Sequence, residues 1–155
     1  MKKVERVYRE VLFQALENDT RELTQSAVSE RCGTAIGNVS YALEPLVDMN
    51  AVEKKRRKFR VLNPRKILLY WASVRDLDGD TVYATHVDQD VREIERTMPP
   101  VLFTTYTAYK QRYGEPPAGY SEVHAYGDPE TVEQRFPPQS GRENLYILET
   151  DEHLE

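Results

Sequence analysis

The sequence has a single cysteine among 155 residues and no long apolar run. One cysteine excludes an internal disulfide framework and a cysteine-rich zinc site. The longest apolar run is the six residues from Ile67 to Ala72, which is too short for a membrane span or the core of a signal peptide. We therefore expect a soluble, cytoplasmic protein.

Motifs for metal or phosphate chemistry are also lacking. The seven glycines are scattered, and none forms a phosphate-binding loop after a predicted strand. Asp76–Asp80 faintly resembles a calcium loop, but Val87 stands where the glutamate ligand is needed. The three histidines, His86, His124 and His153, are not at the spacing of ligands on a helix. We expect no bound metal, no cofactor and no enzymatic activity.

Charge is distributed unevenly along the chain. Residues 1–66 contain 14 lysines and arginines against 9 aspartates and glutamates, whereas residues 67–155 contain 7 against 17. The net charge of −5 is therefore an average over a basic segment of +5 and an acidic segment of −10. Eight of the nine prolines also follow Asn63. We predict two domains, residues 1–63 and residues 64–155.

The first domain shows three amphipathic helices followed by a hairpin. Apolar residues at three- and four-residue spacing predict a helix over 3–18, and Thr24 is a good N-cap for a second helix ending near Arg31. A third helix is predicted over 36–49, and Asn50 suits a left-handed residue after it. Strands over 51–55 and 59–62 would flank a tip made of Arg56, Arg57 and Lys58.

Several short segments strengthen the prediction of three helices followed by a hairpin. They are Leu23–Gln25 at the start of the second helix, Cys32–Gly33 before the third, and Val39–Leu46 followed by Met49–Val52. These segments are similar to winged helix-turn-helix transcription regulators. The family usually has glycine where Asn50 stands, and often serine or threonine where Ala35 stands. The resemblance implies a double-stranded DNA ligand and a homodimer.

The resemblance and the helix pattern together suggest the DNA-binding residues. A helix fits the major groove, and Asn38, Ser40 and Tyr41 are predicted on the outward side of the third helix. The hairpin adds a run of cations that suits a phosphate backbone: Lys54, Lys55, Arg56, Arg57, Lys58 and Arg60. A solvated basic turn or a protein-binding winged helix remains the alternative interpretation.

Asn63 followed by Pro64 is a helix start signal at the boundary between the two predicted domains. A helix is predicted over 64–74 and joins the domains, and its apolar residues are expected to be mostly buried: Ile67, Leu68, Tyr70, Trp71 and Val74. Strands and helices alternate after it. They are a strand over 81–87, a helix capped by Asp88 and ending near 98, a strand over 101–106, a helix to 113, a strand over 120–126, a helix to 136 and a strand over 144–149. This alternation predicts a small α/β domain with a mixed, partly parallel sheet, and an α+β class for the whole chain.

Segments of this domain, including Leu69–Ala72, Phe103–Tyr106 and Tyr120–Val123, resemble archaeal regulators whose C-terminal domain is similar to that of AbiEi-type antitoxins. The resemblance implies a module for sensing, partner binding or dimerisation. Tyr106, Tyr109 and Tyr113 fall on one predicted helical face, either as packing residues or as a ligand or dimer surface. We expect a DNA-binding transcription regulator; the alternative is an antitoxin-like module that binds a partner protein.

Overall fold

The computed structural model describes residues 2–151 of the chain. Within that range the fold is mixed α+β, with seven α-helices and two small sheets, one of which is mixed. The contacts divide the chain into two compact units, the first ending at Arg75 and the second beginning at Asp76. The helix over 64–74 therefore groups with the first unit, whereas the sequence predicts the boundary at residue 63.

The first unit carries four helices and a three-stranded antiparallel sheet. Its elements are α1 (Lys3–Leu16), β1 (Glu22–Leu23), α2 (Gln25–Arg31), α3 (Ile36–Asp48), β2 (Val52–Lys54), β3 (Phe59–Val61) and α4 (Pro64–Val74). The strand order is β1-β3-β2. The helices begin and end within two residues of their predicted limits. Strand β1 is not predicted, because two residues are too few to show an alternating pattern.

Side chains next to the helices explain where these helices begin and end. Thr24 Oγ1 accepts a hydrogen bond from the Ala27 N–H at 3.1 Å and caps α2. Asn63 Oδ1 accepts one from the Lys66 N–H at 3.1 Å and caps α4. Asn50 follows α3 with a φ of 54°, the left-handed conformation that its position in the sequence predicts.

The core of the first unit joins α1, α2 and α3 to the sheet. Phe59 and Val61 point inward while Arg60 between them is exposed, the alternation expected of a strand with one buried face. The other fully buried side chains come from the apolar stripes of the helices; they include Val7, Val11, Val28, Val39, Leu43, Leu46 and Ile67. These stripes therefore fix how the three helices face one another.

Helix α4 packs on α1 along one side only. Ile67 is fully buried, and the Tyr70 ring meets the Tyr8 ring edge-on with centroids 5.7 Å apart. The predicted burial of Leu68 and Val74 is wrong, since their exposed fractions are 49% and 41%. An apolar sequence on every side of a helix identifies no particular face, and the contacts with α1 select the buried one.

The second unit is built around a four-stranded sheet. A 3₁₀ turn (Asp78–Asp80) is followed by β4 (Thr81–Thr85), α5 (Val91–Thr97), β5 (Leu102–Phe103), α6 (Thr105–Tyr113), β6 (Val123–Tyr126), α7 (Pro129–Arg135) and β7 (Leu145–Leu148). The strand order is β4-β7-β6-β5, in which β6 and β7 are parallel and the other two pairs are antiparallel. This confirms the predicted mixed, partly parallel sheet.

Several limits in the second unit differ from the prediction. The cap of α5 is Asp90, whose carboxylate accepts from the Glu93 N–H at 2.9 Å, and not Asp88. The strand predicted over 101–106 has two residues because α6 begins at Thr105, and the strand predicted from Tyr120 begins at Val123. Tyrosine and valine favour half-buried surfaces in general, so their presence does not fix where strand pairing starts. None of the helices in the described range has the length and apolarity that crossing a membrane requires.

Candidate nucleic-acid interface

The hairpin between β2 and β3 ends in a tip made only of cations. The Lys55 N–H donates to the Lys58 carbonyl at 2.7 Å and closes the turn. Lys55, Arg56, Arg57 and Lys58 are all exposed. The turn therefore forms without the glycine, asparagine or proline that usually makes such turns easy.

A glutamate outside the hairpin holds two of these cations. Glu22 lies on β1, and its two carboxylate oxygens accept hydrogen bonds from Lys55 Nζ at 3.0 Å and from Lys58 Nζ. The hydrogen bonds from Lys58 and Lys55 lower the pKa of Glu22 to about 2. Glu22 is thus ionised throughout the physiological pH range. Sequence reasoning missed it, because only the pairing of β1 with β3 brings it to the hairpin.

The other cations of the hairpin lie on the two strands and at the tip: Lys54 on β2, Arg60 on β3, and Arg56 and Arg57 at the tip. Arg60 on β3 is in register with Glu22 on one side and Glu53 on the other, and all three are exposed. Within residues 2–151, no ion pair is made by Lys54, Arg56, Arg57 or Arg60. Among the described residues, the cations of the tip without an ion pair are therefore Arg56 and Arg57.

The outward face of α3 carries few charges. Tyr41 is 66% exposed, whereas Asn38 and Ser40 are half-buried. Asn38 Nδ2 donates to Thr34 Oγ1 at 2.8 Å, in the turn where Ala35 offers no side-chain cap to the helix. One of the two amide hydrogens of Asn38 is thus already used within the protein.

One concavity brings together parts of the first unit that are far apart in the sequence. It measures about 330 Å³ and is lined by Gln25 and Ser26 at the start of α2, by Ile36 at the start of α3, and by the tip residues 55–58. Four of the nine predicted DNA-binding residues thus share a surface with the two helix starts. The other five, Lys54, Arg60, Asn38, Ser40 and Tyr41, lie outside this concavity.

Besides the predicted DNA-binding residues, the chain offers tyrosines, one cysteine and histidines as candidate functional groups. Tyr106, Tyr109 and Tyr113 are exposed on α6, so packing in the core is wrong for them, while packing at a domain interface stays a prediction. Cys32 is 2% exposed and belongs to the core of the first unit. Across residues 2–151, no three histidine, cysteine, aspartate or glutamate side chains are grouped so that they could hold a metal ion. His153 lies outside the described residues.

Comparisons of the chain with protein-family models, with curated proteins and with solved structures found no match.

Proposed function

We propose that residues 2–75 form a winged helix-turn-helix that binds double-stranded DNA, and that the protein is a transcription regulator. The order α1, β1, α2, α3, β2, β3 supports this assignment, with α3 as the recognition helix and the hairpin over 52–62 as the wing.

The observation that carries the proposal is the 330 Å³ concavity between the wing tip and the starts of α2 and α3. A DNA backbone that follows this surface meets four cations of the wing together with the side chains of Gln25 and Ser26. Lysine, arginine, glutamine and serine are the side chains that commonly contact phosphate oxygens. The wing and the helix starts thus offer one continuous set of donors.

The charges favour contacts to the backbone over base readout. Arg56 and Arg57 are exposed and make no ion pair with any described residue, so phosphate contacts cost them no existing partner. On α3, Glu44 is exposed and repels phosphates, and Asn38 already bonds Thr34. Tyr41 and Ser40 remain as the side chains that reach a base edge or a phosphate. We therefore expect affinity to depend mainly on the wing.

Fluorescence anisotropy with a labelled duplex of random sequence tests the proposal. We expect the wild-type chain to bind at about 50 mM salt and to lose affinity steeply as salt rises, because each phosphate contact displaces a counterion. The double variant Arg56→Gln/Arg57→Gln should bind more weakly, with a salt slope shallower by about 2. The matched double variant Arg112→Gln/Arg142→Gln removes the same charge from the second unit and should bind like wild type.

No measurable binding at low salt overturns the proposal. Equal effects of the two double variants also overturn it, because the wing would then act only through its share of the total charge.

The second unit favours an additional or alternative role in protein binding. Residues 76–151 contain 6 basic and 15 acidic side chains, and Tyr109 and Tyr113 expose a pair of rings on α6 with centroids 4.7 Å apart. Aromatic side chains are enriched where proteins meet. We propose that this face of α6 mediates homodimer formation or, in the antitoxin-like alternative, contact with another chain. Sedimentation of wild type and of Tyr109→Ser/Tyr113→Ser separates these roles. A wild-type dimer that the variant loses supports homodimer formation through this face. A wild type that is already a monomer leaves only contact with another chain.

A further inference from the structure

The second unit has a concavity of its own with a volume of about 690 Å³, within the range of small-molecule sites. Helix α5 contributes Arg92 and Arg96, α6 contributes Lys110, and the segment after α6 contributes Tyr120. An adjoining concavity of about 580 Å³ shares Arg92 and Tyr120. Val91, Arg92 and Tyr120 therefore lie where the two concavities meet, and the two together are called the groove below.

The groove is richer in basic side chains than the rest of the second unit. Three of the six basic residues in 76–151 line the two concavities, but only three of the fifteen acidic residues do so, namely Asp90, Glu95 and Glu115. Arg96 is already held by Glu93 through two hydrogen bonds of 2.6 and 3.1 Å. Arg92 is exposed and makes no ion pair with any described residue. A cation of this kind in an acidic unit points to an anionic ligand.

Glu95 organises the floor of the groove. Its carboxylate accepts hydrogen bonds from Thr107 Oγ1 at 2.9 Å, from Lys110 Nζ at 2.6 Å and from the Tyr120 hydroxyl at 2.5 Å. Burial opposes ionisation of Glu95, but the bonds from Lys110, Tyr120 and Thr107 outweigh it and keep the pKa of this carboxyl below its ordinary value. The hydrogen bond to Glu95 likewise raises the pKa of Lys110. Lys110 thus stays charged and keeps further N–H donors for a ligand.

The aromatic part of the groove is also held in place. The Tyr120 ring stacks on the Tyr106 ring, with centroids 5.4 Å apart and planes 14° apart, while its hydroxyl is fixed by Glu95. A ring that is held in this way loses little conformational freedom when a ligand packs along it. Fixed aromatic surface next to fixed donors is the usual composition of a small-molecule site.

We propose that this groove binds a small organic anion, namely a planar ring that carries a carboxylate or a phosphate group. Arg92 forms the ion pair with the anionic group, Lys110 donates a second hydrogen bond, and the ring of the ligand packs along Tyr120. The assignment is independent of DNA binding, because every residue involved belongs to the second unit.

Isothermal titration of the full chain with four probes tests the proposal. Benzoate and phenyl phosphate combine a ring with an anionic group; phenol has only the ring, and inorganic phosphate has only the anion. We expect saturable binding of benzoate or phenyl phosphate with a dissociation constant on the order of millimolar, as befits ligands of this size. The stronger of the two identifies the anionic group. Phenol and inorganic phosphate should each bind roughly tenfold more weakly.

Two variants locate the binding. Arg92→Gln should weaken the better probe about tenfold, because a charge-assisted hydrogen bond is lost. Arg112→Gln removes the same charge from α6 at a position outside the groove lining and should bind like wild type. The proposal is overturned by an absence of saturable binding up to about 20 mM, by phenol binding as tightly as benzoate, or by equal effects of the two variants.

Discussion

Under the proposed function, Glu22 and DNA phosphates would compete for the cations of the wing, and Glu22→Gln should therefore tighten DNA binding. The Glu22 carboxylate holds Lys55 and Lys58, and the Glu53 carboxylate also lies near Lys55. The six cations of the wing and these two carboxylates together have a net charge of +4. The substitution raises this charge to +5, frees the Lys58 ammonium group and leaves Lys55 with only its 3.8 Å contact to Glu53. Because exposed ion pairs are weak, we expect a gain in affinity of only about 3- to 10-fold at about 100 mM salt.

The salt dependence makes this prediction specific. When the released Lys58 and the more weakly held Lys55 reach phosphates, the slope of log affinity against log salt should steepen by about 1 to 2. Because the pKa of Glu22 is lowered to about 2, its ion pairs with Lys55 and Lys58 are fully present at pH values above the ordinary glutamate pKa. They are lost only as the pH falls towards about 2. The effect of Glu22→Gln should thus be constant between about pH 5 and 8.

Anisotropy titrations with wild type, Glu22→Gln and Glu17→Gln provide the measurement. Glu17 is exposed after α1 and makes no ion pair with residues 2–151, so Glu17→Gln controls for the change in total charge. Equal affinities of the two variants would refute the reasoning on Glu22 while leaving DNA binding intact. Failure of all three proteins to bind would instead overturn the proposed function.

Three further outcomes concern the first unit. Glu5→Ala should lower the free energy of unfolding by about 2–4 kcal/mol in urea titrations, since the buried carboxylate accepts from Trp71 Nε1 at 3.2 Å and Arg75 at 2.7 Å; an unchanged midpoint would contradict this. Cys32 should react with a thiol reagent only when the chain is unfolded, because burial raises the pKa of its thiol to about 11; rapid reaction of the native chain would contradict this. Asn50→Ala should destabilise the chain by about 1 kcal/mol and Asn50→Gly should not, because the φ of this residue is 54°; thermal unfolding of both variants would show equal losses if that reasoning is wrong.

Much of the first unit follows from local chemistry. The spacing of apolar residues predicts its four helices, and the caps Thr24 and Asn63 predict where α2 and α4 begin. The left-handed conformation of Asn50 and the inward direction of Phe59 and Val61 also follow from short segments. Each of these features depends on neighbours within a few positions, and such neighbours are adjacent in the sequence.

The candidate interface followed from the sequence only in part. A run of cations is visible in the sequence, but its availability depends on Glu22, which lies more than thirty residues earlier. The amide of Asn38 is likewise bonded to Thr34, which reduces its suitability for reading adenine. Charge composition therefore predicts that anions are attracted to the wing, without showing which cations are already paired.

By itself, the sequence determined the α+β class, the order of the helices and of all strands except β1, the partly parallel sheet and the separation into a basic and an acidic half. Tertiary structure decided which side of α4 is covered, that Glu22 reaches the wing, and that Arg92, Lys110 and Tyr120 meet in one groove. The physical reason is the range of the interactions. Helix periodicity and capping act within a turn or two of chain. Burial, ion pairing and cavity lining depend on contacts between segments that are far apart in the sequence, and no local pattern shows which segments will meet.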